Sequence, residues 1–327
     1  MNRRGFVCLV AIGGLPAWWS RALAQRSHKV SRVGYLAPVS QSASVTLLAP
    51  LKDALRERGY SDDHTVKFEV RTTDELDRLP LLAAELVAEQ VDIIVAVGPA
   101  AILAASHTTR TIPIVMAFWG GPGLIESGTI ASFARPGTNV TGVFMLGEEF
   151  EVKRLELLLQ AIPNARRIAV LNPGPGGRDR LALLRPVAQA ANVELQLTDV
   201  PGPNNYEPIF EEMTKDRIDG VVVPSSTRFS LERLQVINAA AKHHIPAMYE
   251  WGEMARAGGM IAYGPNFVEL HRRVALYIDH ILKGADPASL PVEQPTRSEL
   301  VINLKTAKSL GLTIPQSLLL RADEVIQ

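Results

Sequence analysis

The sequence predicts an α/β protein built from two similar lobes that follow one another along the chain. Short apolar runs of strand length alternate with longer segments that are apolar at helical spacing and charged on the opposite face. The alternation starts again after residue 146. Aromatic residues make up only 6% of a chain that is 47% hydrophobic, so aliphatic side chains fill the core, as in parallel sheets buried on both faces.

The first half shows the alternation as five apolar runs. The strand-like runs are "VSRVGYLAP" (30–38), "HTVKFEVR" (64–71), "VDIIVAVG" (91–98), "IPIVMAFW" (112–119) and "NVTGVFM" (139–145). Amphipathic helices are predicted over 44–59 and 75–90, between the first three runs. Because a strand–helix–strand crossover is nearly always right-handed, these runs are expected to form one parallel sheet with helices on both sides.

The second half repeats the pattern with four helices and five strands. Helices are predicted over 148–162, 178–191, 206–215 and 230–244, and strands over 166–172, 193–200, 219–225, 245–251 and 258–264. A helix (266–284), an extended stretch (288–296), a strand (299–304) and a short helix (305–311) follow. No Gly/Ser-rich linker separates the lobes, so single extended crossings near residues 145, 264 and 293 are expected to act as hinges.

The stretch "LNPGPGGRD" (171–179) lies between a strand-like and a helix-like segment, where a phosphate-binding loop would lie. Gly174 and Gly176 fit the dinucleotide fingerprint, but Asp179 takes the place of its third glycine. No Lys-Ser/Thr pair follows, and two prolines stiffen the loop. We therefore expect no nucleotide here and no cofactor in the protein, and we interpret the stretch as the lip of a ligand cleft.

The N-terminal segment is typical of a secretory signal peptide. Arg3 and Arg4 precede an apolar stretch over 6–19, and Ala22-Leu23-Ala24 supplies small residues at the cleavage positions. The apolar stretch is shorter than the roughly 20 residues of a membrane span. We expect cleavage after Ala24 and export to the periplasm. Retention of the segment as an anchor is the alternative.

Composition and charge exclude several classes of function. Removal of residues 1–24 takes away three arginines and no acid, which changes the formal charge from 0 to −3. A mildly acidic chain offers no basic face for nucleic acid or anionic lipid. The one cysteine, Cys8, lies in the signal segment, so the mature chain is predicted to have no disulfide, cysteine nucleophile or thiolate metal site.

The sequence shows no catalytic constellation. It contains no Gly-x-Ser-x-Gly elbow and no His-Glu-x-x-His helix, and its histidines lack metal-ligand spacing. His243-His244 ends a predicted helix and Glu148-Glu149 begins one, and both positions suit the helix dipole. We therefore predict a protein that binds a small molecule and is not an enzyme.

Several phrases of the sequence resemble one known family. They are "TIPIVMAF", "SFARPGTNVTGV", "KRLELLLQAIPNARRIAVLNP", "GGMIAYGPNFVELHRRVALYIDHILKG" and the C-terminal "PVEQPTRSELVINLKTAKSLGLTIPQSLLLRADEVIQ". Together they cover nearly the whole chain after the signal segment, and the tail is the most specific of them. On these phrases the chain resembles the ABC-transporter substrate-binding proteins of the periplasmic binding protein type I fold.

The resemblance implies two Rossmann-like lobes joined by three hinge crossings, with a ligand taken into the cleft and delivered to an ABC permease in the inner membrane. It implies a lobe I of residues 28–145 and 264–292 and a lobe II of residues 146–263 and 293–327. We expect a monomer whose lobes close over the ligand. Relatives often carry Asp-Pro where this chain has Gly121-Pro122, which admits a different ligand here.

Candidate ligand-binding residues follow from the rule that ligands of open α/β sheets lie beyond the carboxyl ends of the strands. The rule selects Ser40, Ser42, Gly98, Pro99, Ala100, Phe118, Trp119, Gly120, Asn172, Ser225, Ser226, Thr227, Tyr249, Trp251 and Tyr263. Each has a structural alternative. The serines are also suited to cap helices, Gly98 to Ala100 to form a plain turn, and the tryptophans to fill lobe cores.

The chemistry of these candidates favours an amino-acid-like or aromatic acid as the ligand. Hydroxyl groups cluster at 225–227, with Arg228 beside them as either a carboxylate ligand or a solvated residue. Trp119 and Trp251 fall at strand ends in opposite lobes and would clamp a flat ligand. The predicted function is a periplasmic receptor of an ABC importer. A receptor that serves a membrane signalling protein and a periplasmic α/β enzyme are the alternatives.

Overall fold

The computed structural model describes residues 30–120, 123–145, 147–174, 177–202, 205–294 and 298–327. Positions 118–120, 148, 177 and 227 are described by their backbone alone. The predicted signal segment and the Gly121-Pro122 pair lie outside the described residues. No helix in the described ranges combines the length and the apolar character needed to cross a membrane.

The first sheet has five parallel strands in the order β2-β1-β3-β4-β5. These strands are β1 (Ser31–Ala37), β2 (Val66–Thr72), β3 (Ile93–Val97), β4 (Ile114–Gly120) and β5 (Val140–Met145). The helices that connect the first four are α1 (Gln41–Glu57), α2 (Leu79–Ala88) and α3 (Gly98–Thr108). All five strands and the helices α1 and α2 match runs that the sequence predicts to within about four residues.

Both faces of the first sheet are buried. Successive side chains of a strand point to opposite sides, so neighbouring residues of one strand belong to different cores. Tyr35 of β1 belongs to the core that includes α1, whereas the next residue, Leu36, packs with α2 and α3. Val95 of β3 lies on the Tyr35 side, and Ile94 lies on the Leu36 side. Two helical layers therefore cover the sheet, as the strongly aliphatic strands predict.

The second sheet has seven strands in the order β12-β11-β10-β9-β8-β6-β7. The segments that build this lobe up to its fifth strand are α4 (Gly147–Ala161), β6 (Arg167–Asn172), α5 (Gly177–Ala190), β7 (Glu194–Asp199), α6 (Tyr206–Lys215), β8 (Gly220–Val222), α7 (Thr227–Leu231), α8 (Arg233–Lys242), β9 (Ala247–Tyr249), α9 (Gly252–Arg256) and β10 (Ile261–Pro265). The remaining elements are α10 (Phe267–Leu282), β11 (Ser298–Asn303), α11 (Leu304–Ser309), α12 (Gln316–Leu319) and β12 (Glu324–Ile326).

One strand pair differs from the prediction of wholly parallel sheets, since β11 runs antiparallel to β10. The parallel strands of this sheet end at the side that faces the first lobe. The chain leaves β10 there, forms α10 against α1 of the first lobe, and returns to the second sheet from that same side. A strand that enters from this side must run in the opposite direction, and β12 then pairs parallel to β11.

The chain passes between the sheets three times, which confirms the predicted crossings. The passages lie between β5 and α4, between β10 and α10, and between Glu293 and Ser298. Glu293 is hydrogen-bonded to β5, because its N–H donates to the Gly142 carbonyl at 3.0 Å and its carbonyl accepts from the Phe144 N–H at 2.8 Å. Glu293, from which the third passage leaves, therefore lies beside β5, the strand that precedes the first passage.

Candidate ligand-binding site

A cavity of about 200 Å³ lies between the two lobes. Its wall on the side of the first sheet consists of Tyr35, Leu47, Val97, Gly98, Pro99 and Met145, together with Phe267 and His271 of α10. Its wall on the side of the second sheet consists of Ser225, Ser226, Ser230, Glu250 and Trp251. A molecule held here would contact both lobes, which is the condition for a ligand to favour the closed arrangement.

Five of the residues selected from the sequence lie in this wall, namely Gly98, Pro99, Ser225, Ser226 and Trp251. Gly98 has a φ of +76°, which glycine adopts readily, and this turn allows α3 to begin directly at the end of β3. The N-cap residue of α3, Val97, has no side-chain group that caps the helix. The first backbone N–H groups of a helix have no partner within the helix, and since Pro99 has no N–H, this end of α3 offers the N–H groups of Gly98 and Ala100 at or next to the cavity wall.

The polar part of the wall belongs to a buried ionic network. The guanidinium of Arg154, from α4, donates from Nε to the Tyr263 carbonyl at 2.8 Å and from Nη1 to the Ser225 hydroxyl at 3.2 Å. That hydroxyl donates to Oε1 of Glu250 at 2.5 Å, and the same oxygen lies 3.7 Å from Nη2 of Arg154. Because a guanidinium never accepts a hydrogen bond, the Ser225 proton must point to Glu250.

Burial disfavours the charged forms of both Glu250 and Arg154, and it therefore shifts their pKa values in opposite directions. Desolvation raises the pKa of Glu250, while the positive charge of Arg154 and the Ser225 hydrogen bond oppose the rise. Desolvation lowers the pKa of Arg154, while the charges of Glu250 and Glu151 oppose the fall. An isolated charge is strongly unfavourable in such a site, so each group stabilises the ionised form of the other.

The rest of the wall is aromatic. The indole of Trp251 donates from Nε1 to the Ser230 hydroxyl at 3.0 Å and meets the Phe267 ring edge to face at 5.2 Å. The imidazole of His271 lies 4.4 Å from the Phe267 ring and donates from Nδ1 to the Phe267 carbonyl at 2.8 Å. Burial lowers the pKa of His271 to about 4, so this imidazole is neutral at pH 7.

The cleft continues beyond the cavity. Trp251 and Phe267 also line a second cavity of about 250 Å³, together with Pro50, Met254 and Val268. An outer opening of about 430 Å³ lies between α1 and the segment 231–235.

The two serines at the start of α1 lie away from the first cavity. Ser42 lines the outer opening. Ser40 caps α1, since its hydroxyl accepts from the Ala43 N–H at 3.3 Å. Ser40 therefore serves as a helix cap, which was the alternative to ligand binding. Ser42 lies nearer to solvent than expected.

Several other selected residues do not line the cavity. Asn172 donates to Asp199 Oδ1 at 2.6 Å, at the edge of the sheet. Tyr249 is 1% exposed, because the alternation along β9 turns its ring into the core of the second lobe. Tyr263 donates from its hydroxyl to Ser298 and packs on Phe150, and Ala100 lies one residue beyond the wall in α3. These placements correct the selection made from the sequence.

Arg228 is neither a free carboxylate ligand nor a solvated residue. Its guanidinium donates to the carbonyl groups of Val200 and Gly202 and contacts Glu232. It therefore holds the loop after β7 in place. For Phe118, Trp119, Gly120 and Thr227 the backbone lies at the end of β4 and the start of α7, and their side chains lie outside the described part.

The sequence did not single out Tyr35, Arg154, Glu250, Phe267 or His271. The signal for Glu250 was present, because this carboxylate stands between two residues that were selected at the end of a strand. Phe267 and His271 are four residues apart at the start of α10 and so share one face of that helix. Within the described ranges, no group of three or more histidine, cysteine, aspartate or glutamate side chains has an arrangement that could hold a metal ion.

Two α/β lobes joined by three crossings, with a ligand-sized cavity between them, define the type I class of periplasmic binding proteins, and solved structures similar to this one have the same fold. The chain belongs to the ABC transporter substrate binding protein family, whose model matches residues 32–326. The family resemblance stated from the sequence is thus confirmed.

Three proteins illustrate the similarity. A tyrosine-binding protein of Clostridioides difficile is 23% identical over 263 residues, which span 79% of this chain and 74% of that protein. The ABC domain of Streptococcus pneumoniae in complex with L-Trp has a TM-score of 0.76 and 26% identity, and 91% of this chain covers 100% of it. A conserved domain protein of Vibrio cholerae has a TM-score of 0.77, 24% identity and the same coverage.

Proposed function

We propose that the protein is a periplasmic receptor of an ABC importer that captures an aromatic amino acid or a related aromatic acid between its lobes and delivers it to the membrane permease. The observation that carries the proposal is the composition of the cavity wall. The hydroxyl and carboxylate groups of Ser225, Ser226 and Glu250 stand in one cavity with the rings of Trp251 and Phe267.

The cavity fits a small molecule with one polar and one flat apolar end. Polar groups in a largely apolar pocket fix the orientation of a ligand, and aromatic rings supply contact area. A micromolar complex corresponds to about 8 kcal/mol, which a few hydrogen bonds and one or two buried aromatic faces can supply. The α3 N-terminus at Gly98 adds N–H donors that suit a ligand carboxylate.

The relatives support the same class of ligand. The Clostridioides difficile protein is a tyrosine-binding protein, and the Streptococcus pneumoniae structure holds L-Trp. Both ligands combine an α-amino acid head group with an aromatic side chain. That combination matches a wall that has a polar network on one side and an edge-to-face aromatic pair on the other.

The same proposal includes the organisation of the chain. Residues 1–24 direct export and are removed after Ala24, and the mature receptor is a monomer in the periplasm without a nucleic-acid partner. Lobe I comprises 28–145 and 264–292, and lobe II comprises 146–263 and 293–327. Strands β1 to β5 share one sheet and α10 packs on α1, which supports lobe I, while β6 to β12 share the other sheet.

Ligand-driven closure is the mechanism we propose. The wall residues come from both lobes, so a bound molecule gains contacts when the lobes approach one another. The receptor binds and releases its ligand without chemical change. The permease would then recognise the closed form.

Isothermal titration calorimetry and tryptophan fluorescence test the proposal on protein purified from full-length expression. We expect saturable binding of L-tyrosine, L-tryptophan or L-phenylalanine at micromolar concentration or below, and recovery of the ligand intact by mass spectrometry. Sugars and purines serve as the negative panel. If no aromatic amino acid and no aromatic acid binds in calorimetry, the proposed ligand class is wrong. If the ligand is recovered chemically altered, the protein is an enzyme.

Uptake of radiolabelled ligand by cells separates transport from sensing. Deletion of the gene should abolish high-affinity uptake, and its return should restore it. Normal uptake in the deletion strain, together with loss of a behavioural response to the ligand, would instead support the signalling receptor.

A further inference from the structure

The charge of the cavity wall further restricts the chemical class of the ligand. Among the described residues that line the cavity, Glu250 is the one carboxylate, and none is a lysine or an arginine. The one imidazole, of His271, is neutral at pH 7 because burial lowers its pKa to about 4. The charged group that the described wall offers to a ligand is therefore an acid.

Glu250 is held in place from behind. Its side chain is 5% exposed, and its Oε1 atom accepts the Ser225 hydroxyl proton at 2.5 Å. The Arg154 guanidinium is fully buried, does not line the cavity, and is hydrogen-bonded to Ser225 and the Tyr263 carbonyl. The cation thus lies on the far side of the carboxylate, where it fixes the orientation of Glu250 without reaching a ligand.

The carboxylate has capacity for a further donor. Two carboxylate oxygens offer about four acceptor positions. The Ser225 hydroxyl occupies one of them, and a backbone hydrogen bond from Ser226 acts on the same side chain. A positively charged N–H group from the cavity would complete the set with a charge-assisted hydrogen bond, which is about twice as strong as a neutral one.

We propose that Glu250 binds the ammonium group of the ligand, so that the receptor selects aromatic α-amino acids and rejects aromatic acids that lack the amine. This inference rests on the proposed function, because it assigns a role within the same cavity. A deaminated acid would place a second negative charge in a cavity whose described wall carries Glu250 and no cation, since Arg233 lines the adjoining cavity and not this one. It would also leave the buried carboxylate without its ligand partner.

Calorimetry with ligand pairs that differ only in the amine tests this selectivity. The pairs are L-tyrosine with 3-(4-hydroxyphenyl)propanoate and L-tryptophan with indole-3-propanoate. Sites that hydrogen-bond a buried polar group discriminate strongly against analogues that lack it. We expect each amino acid to bind at least about 100-fold more tightly than its deaminated partner at pH 7.

The variant Glu250→Gln keeps the shape of the side chain and removes its charge. It should weaken binding of the amino acid by about 100-fold or more and leave the deaminated acid as it was, so the ratio between the two collapses. A purely structural role for Glu250 would lower both affinities together. The variant Ser225→Ala, which loses the hydrogen bond to Glu250, should reduce the ratio in the same direction.

Asp279→Asn is the matched control. Asp279 is also a buried carboxylate that accepts from a hydroxyl, that of Tyr60 at 2.8 Å, and pairs with Lys283 at 2.7 Å. It belongs to α10 on the first-lobe side and does not line the cavity. Loss of its charge should leave the ratio of the two affinities unchanged.

The outcomes separate this inference from the proposed function. A deaminated acid that binds the unaltered protein as tightly as its amino acid would overturn the role of Glu250 and leave the proposed function standing. Failure of every aromatic compound to bind would overturn both. If Glu250→Gln does not fold, the ratio measured on the unaltered protein and on Ser225→Ala still decides.

Discussion

The Nη2 atom of Arg154 lies 3.7 Å from the Oε1 atom of Glu250, and the two side chains are 0% and 5% exposed. Arg154 comes from α4, the helix that follows the first crossing, and it also bonds the Tyr263 carbonyl in β10, the strand that precedes the second. One buried ion pair therefore connects the cavity wall with the elements next to two of the crossings.

Replacement of Arg154 by Met should destabilise the fold by about 3–5 kcal/mol, because it leaves Glu250 as an unpaired buried charge. Urea unfolding followed by circular dichroism at pH 7 measures the loss. Addition of Glu250→Gln should recover part of it. Lys215→Ala, which breaks an exposed pair with Glu211, should leave the unfolding midpoint unchanged. An unaltered midpoint for Arg154→Met would show that the pair does not contribute.

Gly264 at the second crossing should not tolerate a side chain. A Cβ atom there would lie 2.2 Å from the carbonyl oxygen of Glu250, so the backbone that carries the recognition carboxylate would have to move. We expect Gly264→Ala to lower the thermal midpoint and to weaken ligand binding about 10-fold or more in calorimetry. Gly147→Ala, at the first crossing, meets no atom within 4 Å and should change neither quantity.

Trp251 should report ligand binding by fluorescence. Its indole lines the cavity, and the backbone of the other tryptophan within residues 30–327, Trp119, lies at the end of β4. Trp251→Phe should remove most of the ligand-induced change and weaken binding about 10-fold through the loss of ring contact. Ser230→Ala removes the hydroxyl that accepts from the indole and donates to the Ser226 carbonyl, but it keeps the indole in the wall and should keep the change. A full response from Trp251→Phe would assign the signal to Trp119.

The buried imidazole of His271 should make the fold less stable in mild acid. Burial lowers the pKa of His271 to about 4, whereas in the unfolded chain the group titrates near 6.5. Between these values the unfolded chain binds a proton that the folded chain does not. The stabilisation is therefore complete above pH 6.5 and falls as the pH drops towards 4, by about 2 kcal/mol at pH 5.

Comparison with His271→Gln isolates this contribution. Urea unfolding at pH 7 and pH 5 should show a smaller acid-induced loss for the variant, by about the same 2 kcal/mol. Equal losses in both proteins would mean that His271 accepts its proton in the folded state. Ligand binding is left out of this measurement, because the imidazole lines the cavity.

The alternation of apolar runs was enough to predict two lobes, because a strand buried on both faces is a short apolar run that can be recognised from its own few residues. The direction of β11 was not predictable in this way. It depends on the side from which the chain returns after α10, a property of the crossings and not of the local sequence. The start of α3 has two interpretations from the sequence, a ligand-binding loop with accessible backbone N–H groups and a plain turn, because Gly98-Pro99 fits both, although proline also suits the first turn of a helix.

The strand-end rule located Ser225, Ser226 and Trp251, because it depends only on where a buried strand stops. It could not locate Arg154, which stands in the charged sequence "VKRLEL" and has the pattern of a surface residue. Its complete burial depends on partners that are distant in the sequence, namely the Tyr263 carbonyl, the Ser225 hydroxyl and the Glu250 carboxylate. Tyr249 is a wrong selection of the same rule. The sequence does not show on which face of a three-residue strand a side chain lies, and the ring of Tyr249 points into the core.

The hydrogen bonds between Glu293 and β5 determine how the lobes can move. Two segments that are bonded side by side form a ribbon, and a ribbon bends across its flat face far more easily than it twists in its plane. We therefore expect opening to follow a single bending axis instead of a free swivel. If opening follows one axis, a ligand has fewer rotations between the lobes to immobilise when it binds, which lowers the entropic cost of closure.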